Sequence, residues 1–158
     1  MPFRVMVVGG YGNFGSIVCG HLAVMPGVEL LLSGRDPHKL QRKVDELNSQ
    51  SAAVVQGWCG DAMGPAFSAA LRSLNIRLVI HTGGPFQGQS YAVAENCIAA
   101  QVNYCHLTDC RTFVNGVGIL DARAKTAGVA ILSGCSSVPT LSSAIIDQQR
   151  HRFLRIDA

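Results

Sequence analysis

The chain has 158 residues with a formal net charge of +3, and 15% of them are charged while 48% are hydrophobic. The low charge and the lack of a basic block argue against a nucleic-acid partner. No apolar run reaches the roughly 18 residues of a membrane span, and the start of the chain has too few apolar residues for a secretory signal. We therefore expect a cytoplasmic protein with no membrane partner.

Six β-rich runs alternate with helical patterns along the chain. The expected strands are residues 3–8, 28–33, 53–56, 77–81, 103–107 and 129–133. Strands separated by helices predict right-handed crossovers, because that connection packs a helix back onto a parallel sheet. The fold class is therefore α/β, a doubly wound parallel sheet (Rossmann fold) with about six strands in the order 3-2-1-4-5-6.

Helix signals fill the segments between these runs. Asp36 followed by Pro37 is typical of a helix start, since the side chain can cap and the proline suits the first helical position. An Ala-rich helix is expected at 90–100, and an apolar stripe runs from Phe113 to Ala124 before a stop signal at Gly128. A last helix is expected to begin at Thr140.

The first strand breaks into the pattern G-x-G-x-x-G, and a helical pattern follows at once. In this context Gly10 can make the tight turn, Gly12 lets the backbone approach a pyrophosphate, and Gly15 lets the helix pack close to the strand. The helix N-terminus would face the phosphates. We expect a dinucleotide or related nucleotide to contact the glycines and the residues between them, Tyr11, Asn13 and Phe14. Binding of adenosyl-methionine, or a turn without a ligand, remains the alternative.

The end of the second strand indicates which dinucleotide binds. A carboxylate there would bond the ribose 2′-OH of NAD, but the sequence has Ser33, Gly34 and Arg35. The guanidinium suits a phosphate, and the two small residues leave room for it, so we expect NADP. The alternative is that Asp36 meets the ribose, but Pro37 after it favours a helix cap. Lys39 is a second candidate for the 2′-phosphate, or else a solvated lysine.

Two later loops also follow strands. Asp61 could accept from the adenine amino group, cap the next helix, or do both. Gly83, Gly84 and Pro85 suggest backbone that lies against the inner ribose and pyrophosphate of the cofactor. His81, just before them, is expected to be a core or strand-end histidine rather than a catalyst.

The last loops carry candidate polar groups without a recognisable pattern. Residues 105–111 hold cysteine, histidine and aspartate, but the spacing matches no usual zinc site, so no metal is expected. Asp109 and Arg111 could contact a substrate or cofactor, or form a helix cap and its first turn. The hydroxyl-rich loop 133–140 could reach the nicotinamide end, or be an ordinary loop and N-cap. The six cysteines form no C-x-x-C pair and are expected to be buried free thiols.

Five segments together resemble the NADP-binding domain of the saccharopine dehydrogenase family. They are VVGGYGNFG (7–15), SGR (33–35), GPFQGQS (84–90), AENCI (94–98) and NYCHLTD (103–109). The resemblance extends over residues 3 to about 147. It departs from the family at His106, where an acid is more usual. The resemblance implies a two-domain oxidoreductase in which hydride passes between nicotinamide and an amine or imine carbon, or a related centre.

The domain organisation follows from the resemblance and the length. Residues 1–150 are interpreted as an NADP-binding Rossmann domain, and 151–158 as a truncated C-terminal tail without the substrate domain. A small-molecule substrate would then bind through the missing second domain, and the exposed surface could drive a homo-oligomer. No catalytic residue is assigned, and we expect little or no turnover by this chain alone. The alternative is a non-catalytic dinucleotide-binding or redox-sensing module.

Overall fold

The computed structural model describes residues 2–51 and 54–155, apart from the side chain of Pro139. Its centre is one six-stranded sheet in the order β3-β2-β1-β4-β5-β6, in which every adjacent pair is parallel. The strands are β1 (Phe3–Val8), β2 (Val28–Gly34), β3 (Gln56–Cys59), β4 (Leu78–His81), β5 (Asn103–His106) and β6 (Ile131–Leu132). The predicted fold class and strand order are confirmed.

Seven α-helices are found in the described part of the chain. They are α1 (Asn13–Leu22), α2 (Pro37–Gln50), α3 (Ala66–Ser73), α4 (Ala92–Ala100), α5 (Arg111–Gly116), α6 (Asp121–Ala127) and α7 (Ser142–Gln149). Short 3-10 turns occupy Val117–Leu120 and Arg150–Arg152. None of the described helices has the length and apolar content that crossing a membrane requires.

The two faces of the sheet carry separate apolar cores. On one face Val7, Leu30 and Leu32 pack with residues of α1 and α2. On the other face Met6 and Val79 pack with residues of α3, α4 and α6. Neighbouring residues of β1 thus point to opposite cores, as the alternation of a strand buried on both sides requires. The helices leave free the carboxyl edge of the sheet, where Val8 lies opposite both Ser33 and His81.

The third strand differs from its expected position. Pairing with β2 begins at Gln56 and continues to Cys59, so the expected range 53–56 is wrong, and Ala53 itself lies outside the described residues. The cause is Asn48 of α2, whose side-chain amide donates to the Val55 carbonyl at 3.0 Å and accepts from the Val55 N–H at 2.7 Å. The backbone N–H and C=O of Val55 therefore form hydrogen bonds with a side chain rather than with a neighbouring strand.

The elements after β5 are shorter than the sequence predicted. The stripe from Phe113 to Ala124 is buried as expected, but it is divided into α5, a 3-10 turn and α6, and glycines at 116 and 118 weaken a continuous helix there. Strand β6 covers only two of the expected residues 129–133. The last helix begins at Ser142 rather than Thr140, because Thr140 and Leu141 belong to an irregular π-type turn, Ser137–Leu141, in which Val138 is extended.

Candidate functional site

A cleft of about 600 Å³ lies at the carboxyl edge of the sheet, above the ends of β1, β2 and β4. In a doubly wound sheet the chain leaves β1 toward one side and β4 toward the other, and this divergence opens a crevice. Its lining consists of Val8, Gly9, Tyr11, Gly12, Asn13, Phe14, Ser33, Gly34, Arg35, Gly60, Asp61, Ala62, Met63, His81, Thr82, Gly83, Gly84, Pro85, Gln89 and Val93.

The glycine turn between β1 and α1 forms one wall of this cleft. Gly9 has the left-handed φ of +79°, and its carbonyl accepts from the Gly12 N–H at 2.8 Å, which closes the turn. The sequence interpretation placed the tight turn at Gly10, whereas the left-handed residue is Gly9. A second glycine directly before the motif was the available signal, because only glycine adopts this φ readily.

Gly10 and Gly15 are closely packed beside the turn and do not line the cleft. A Cβ at Gly10 would lie 2.7 Å from Cγ of Leu32, and a Cβ at Gly15 would overlap the carbonyl oxygen of Gly9. Gly10 therefore lets the turn pack against Leu32 of β2, and Gly15 keeps α1 close to the turn, as predicted for Gly15. Gly12 immediately precedes α1 and supplies no side-chain cap, so the N–H groups of the first helical turn lack intrahelical partners at the cleft wall.

At the end of β2, the cationic residue Arg35 lines the cleft, whereas the carboxylate of Asp36 is hydrogen-bonded to the start of α2. The Asp36 side chain accepts from the N–H groups of His38 at 3.0 Å and Lys39 at 3.1 Å, so it caps α2 as predicted. The bond from the Lys39 N–H is the main cause that holds the pKa of Asp36 below its usual range. Arg35 is exposed and lines the cleft, and among the described residues its guanidinium has no hydrogen-bond partner.

Lys39 and Asp61, two further candidates for cofactor contact, differ in their position relative to the cleft. Lys39 lies outside the cleft lining, and its Nζ is 3.8 Å from an Asp36 carboxylate oxygen. Asp61 does line the cleft, but it does not cap the following helix, because α3 begins only at Ala66. Its Oδ1 accepts from the Met63 N–H at 3.0 Å, which closes a tight turn and leaves the side chain exposed.

The loop after β4 forms the opposite wall, with Gly83, Gly84 and Pro85 in the lining as expected. Sequence reasoning missed two residues that organise this wall. The Thr82 hydroxyl donates to the Val8 carbonyl at 2.8 Å, and the Gln89 side chain donates to the Gly83 carbonyl at 3.2 Å. These bonds connect the loop to β1 and to its own far end, a tertiary arrangement without a sequence signature.

Within the part of the chain that the structure describes, two buried polar atoms beside the cleft have no hydrogen-bond partner. They are Oγ of Ser33, a residue that is 1% exposed, and Oε1 of Gln89. Both atoms are buried from solvent, so in this conformation neither is open to a ligand in the cleft. The glycine turn and Arg35 make this cleft suited to a polar, anionic ligand.

His81 forms the floor of the cleft but is a core residue, as expected. It is 2% exposed, and its Nδ1 lies 2.9 Å from the Tyr104 hydroxyl. Burial, with a further contribution from His106, lowers the pKa of His81 to about 4. Burial likewise lowers the pKa of His106 to about 4, and its Nε2 lies 2.8 Å from the Ser133 hydroxyl. Both rings are therefore neutral near pH 7.

The remaining candidate residues lie away from the cleft lining. Asp109 and Arg111 are exposed, and the N–H of Cys110, which precedes α5, donates to the Thr108 hydroxyl at 3.0 Å. In the part of the chain that the structure describes, no three His, Cys, Asp or Glu side chains converge as metal ligands. The six cysteines are free thiols, but of the six only Cys19 and Cys97 are buried. The expected burial is wrong for the other four, because Cys59 is exposed and Cys105, Cys110 and Cys135 are half-buried. No residue in the described cleft is thereby distinguished as a catalytic acid or base.

A parallel sheet in this strand order, with a glycine turn before its first helix and a cleft at its carboxyl edge, defines the chain as a Rossmann fold. The chain is similar to saccharopine dehydrogenase (L-Glu forming) from Saccharomyces cerevisiae, with a TM-score of 0.71 and 15% identity over 94% of this chain. The similarity to an NAD-binding oxidoreductase from Klebsiella pneumoniae has a TM-score of 0.65 and 15% identity over 96% of this chain.

The third comparison is L-sorbose reductase from Gluconobacter frateurii, complexed with NADPH and L-sorbose, with a TM-score of 0.62 and 12% identity over 82% of this chain. The matches cover 32% of the yeast protein, 39% of the Klebsiella protein and 67% of the Gluconobacter protein. No protein-family model matches the chain, and a search of curated proteins found no match. At these identities the likeness establishes the fold.

Proposed function

We propose that the chain is the NADP-binding domain of an oxidoreductase of the saccharopine dehydrogenase type. The observation that carries the proposal is the end of β2, where exposed Arg35 lines the cleft while the Asp36 carboxylate caps α2. NAD recognition needs a carboxylate that accepts from the ribose 2′-OH, whereas a 2′-phosphate needs donors. Arg35 supplies such donors, and its fork of N–H groups suits phosphate oxygens.

The glycine wall would hold the diphosphate. Gly12, Asn13 and Phe14 line the cleft at the N-terminus of α1, where free N–H groups and the positive end of the helix dipole favour an anion. Gly83, Gly84 and Pro85 would lie along the other side of the same group. The residues present therefore fit a dinucleotide.

When bound, NADP would supply hydride transfer, and the resemblance points to a carbon–nitrogen centre as the substrate. This chain's own contribution is to bind and orient the cofactor. In the described cleft, the buried titratable group beside the Gly83 loop is His81, which is neutral and is therefore not assigned as a catalytic acid or base. A substrate-binding part outside residues 1–150 would supply the catalytic acid or base. As part of the same proposal, the whole protein would bind a small-molecule substrate through that second part.

One observation favours a second candidate, a dinucleotide-binding module without catalysis. The described cleft lacks an evident catalytic acid or base. Burial keeps His81 neutral, and the carboxylate that lines the described cleft, Asp61, lies on the β3 side rather than at the β4 loop. Such a module would bind NADPH without turnover even when joined to the rest of its protein. Turnover assays on the longest natural form of the protein, with saccharopine and with simple imines, distinguish the two candidates.

Titration of the chain with NADPH and NADH, followed by nicotinamide fluorescence, tests the proposed binding. Arg35→Ala should weaken NADPH about tenfold or more, since a hydrogen bond to a charged group contributes about 1.5–3 kcal/mol. NADH binding should change little. Arg42→Ala is the matched control, because Arg42 is an exposed arginine of α2 that does not line the cleft. Equal losses for both cofactors would remove Arg35 from the 2′-phosphate site.

A further inference from the structure

Tyr11 connects the glycine turn to the end of β2. Its hydroxyl oxygen accepts from two successive backbone donors, the N–H of Arg35 at 3.1 Å and the N–H of Asp36 at 3.1 Å. Its ring packs against the core beneath α1 and α2. The side chain is thus held by two hydrogen bonds and by apolar contacts, at the cleft position where Arg35 also lies.

The Tyr11 ring determines which residue can occupy position 34. A Cβ at Gly34 would overlap Cε1 of Tyr11 and lie 2.7 Å from Cζ and 2.9 Å from the hydroxyl oxygen. The ring is held by two hydrogen bonds, so a side chain at position 34 would have to displace the ring and break them. While Tyr11 stays bound to the backbone, position 34 has no room for a side chain, including a carboxylate at the end of β2.

The Tyr11 hydroxyl also retains an unused donor. Both of its hydrogen bonds are accepted by the oxygen, and within residues 2–51 and 54–155 its O–H proton has no acceptor. A phenol can donate one hydrogen bond while it accepts two. Tyr11 and Arg35 both line the cleft, and the Tyr11 hydroxyl is hydrogen-bonded to the Arg35 backbone N–H, so the two neighbouring residues can both offer donors to a ligand bound there.

We propose that Tyr11 is a specificity-determining residue that selects a 2′-phosphorylated adenosine over an unphosphorylated one. This inference rests on the proposed function. Tyr11 acts in two ways: its ring keeps a carboxylate away from the ribose, and its O–H donates to a phosphate oxygen next to Arg35. The two backbone N–H groups stay bound to the phenol and are not released to the ligand.

The first test is Tyr11→Phe, which keeps the ring and removes only the hydroxyl. A hydrogen bond to a charged acceptor is worth about tenfold or more in affinity, and one to a neutral acceptor less. NADPH should therefore weaken about tenfold relative to the wild type, and NADH by about threefold or less. Adenosine 2′,5′-bisphosphate and AMP, titrated by calorimetry, should show the same difference without the nicotinamide. Tyr91→Phe, which also removes a bonded hydroxyl but lies outside the cleft lining, is the control.

The second test uses the double variant Tyr11→Ala/Gly34→Asp and does not depend on the first variant. Removing the ring makes room at position 34, whose φ lies outside the left-handed region, so aspartate can be placed there. The new carboxylate should repel a 2′-phosphate and accept from a 2′-OH. The ratio of NADPH to NADH affinity should then fall by about a hundredfold or more, through two changes of about tenfold each. Circular dichroism and urea unfolding check that each variant is folded.

The outcomes separate the inference from the function on which it rests. A wild-type chain that prefers NADPH, with a ratio unchanged by Tyr11→Phe, overturns the role of Tyr11 and leaves the proposed function intact. Tighter NADPH binding by Tyr11→Phe also overturns it, because the phenol would then block the subsite. A folded wild-type chain that binds neither cofactor overturns the proposed function, and the inference with it.

Discussion

Gly15 is the position where a single methyl group should disturb the glycine turn most. A Cβ there would overlap the Gly9 carbonyl oxygen and lie 2.8 Å from Oγ1 of Thr82 and 2.9 Å from Cα of Gly10. None of these atoms can yield easily, because two belong to the backbone and the Thr82 hydroxyl is bonded to the Val8 carbonyl at 2.8 Å. Gly15→Ala must therefore push α1 away from the turn.

Gly20 provides a matched control in the same helix. A Cβ at Gly20 would meet no atom within 4 Å, so Gly20→Ala brings only the gain in helix propensity, about 0.5–1 kcal/mol. Gly15→Ala brings the same gain together with an overpacking cost of about 1–3 kcal/mol or more. The difference between the two variants in the free energy of unfolding isolates the steric cost, and Gly15→Ala should be the less stable by about 1–3 kcal/mol.

Urea unfolding followed by circular dichroism measures this difference without any ligand. The same two variants can then be titrated with NADPH, and Gly15→Ala should bind it more weakly because the turn that would carry the diphosphate has moved. If Gly15→Ala proves as stable as Gly20→Ala, the close approach of α1 to Gly9 is not present in solution. In that case the geometric argument for the cleft wall fails.

Two further predictions concern stability. Asn48→Ala should lower the free energy of unfolding by about 1–3 kcal/mol in urea, because the N–H and C=O of buried Val55 lose their partners. Stability should also fall as the pH drops from 6.5 to 4. Burial lowers the pKa of His81 and His106 to about 4, against about 6.5 in the unfolded chain, so the unfolded state binds more protons in this range. The loss approaches roughly 3 kcal/mol for each histidine below pH 4.

Controls for both predictions are available on the surface. Ser49→Ala, next to Asn48 but exposed, should change stability little, and a loss equal to that of Asn48→Ala would contradict the role of the amide. His21→Gln should keep the whole acid dependence because His21 is exposed. A free energy of unfolding that stays constant between pH 7 and pH 4 would show that the two buried histidines are not held neutral by the fold.

Local signals in the sequence predicted the elements that depend on neighbouring residues. Asp36 and Pro37 fixed the start of α2, since a cap and a first-position proline act within one helical turn. Alternation of apolar strands with helices predicted the parallel sheet and its order. Val55 shows the limit of this reasoning. Its local sequence predicted a strand, but its backbone N–H and C=O are hydrogen-bonded to the side chain of Asn48 in α2.

The sequence by itself determined the glycine pattern, the cation at the end of β2 and the cap beside it, because each is encoded within a few consecutive residues. Only the tertiary structure decided that Tyr11 meets the backbone at Arg35 and Asp36, residues 24 and 25 positions further along the chain. That contact exists because β1 and β2 pair in one register, with Val8 opposite Ser33. The same pairing brings the turn and Gly34 together, and no local pattern specifies such a distance.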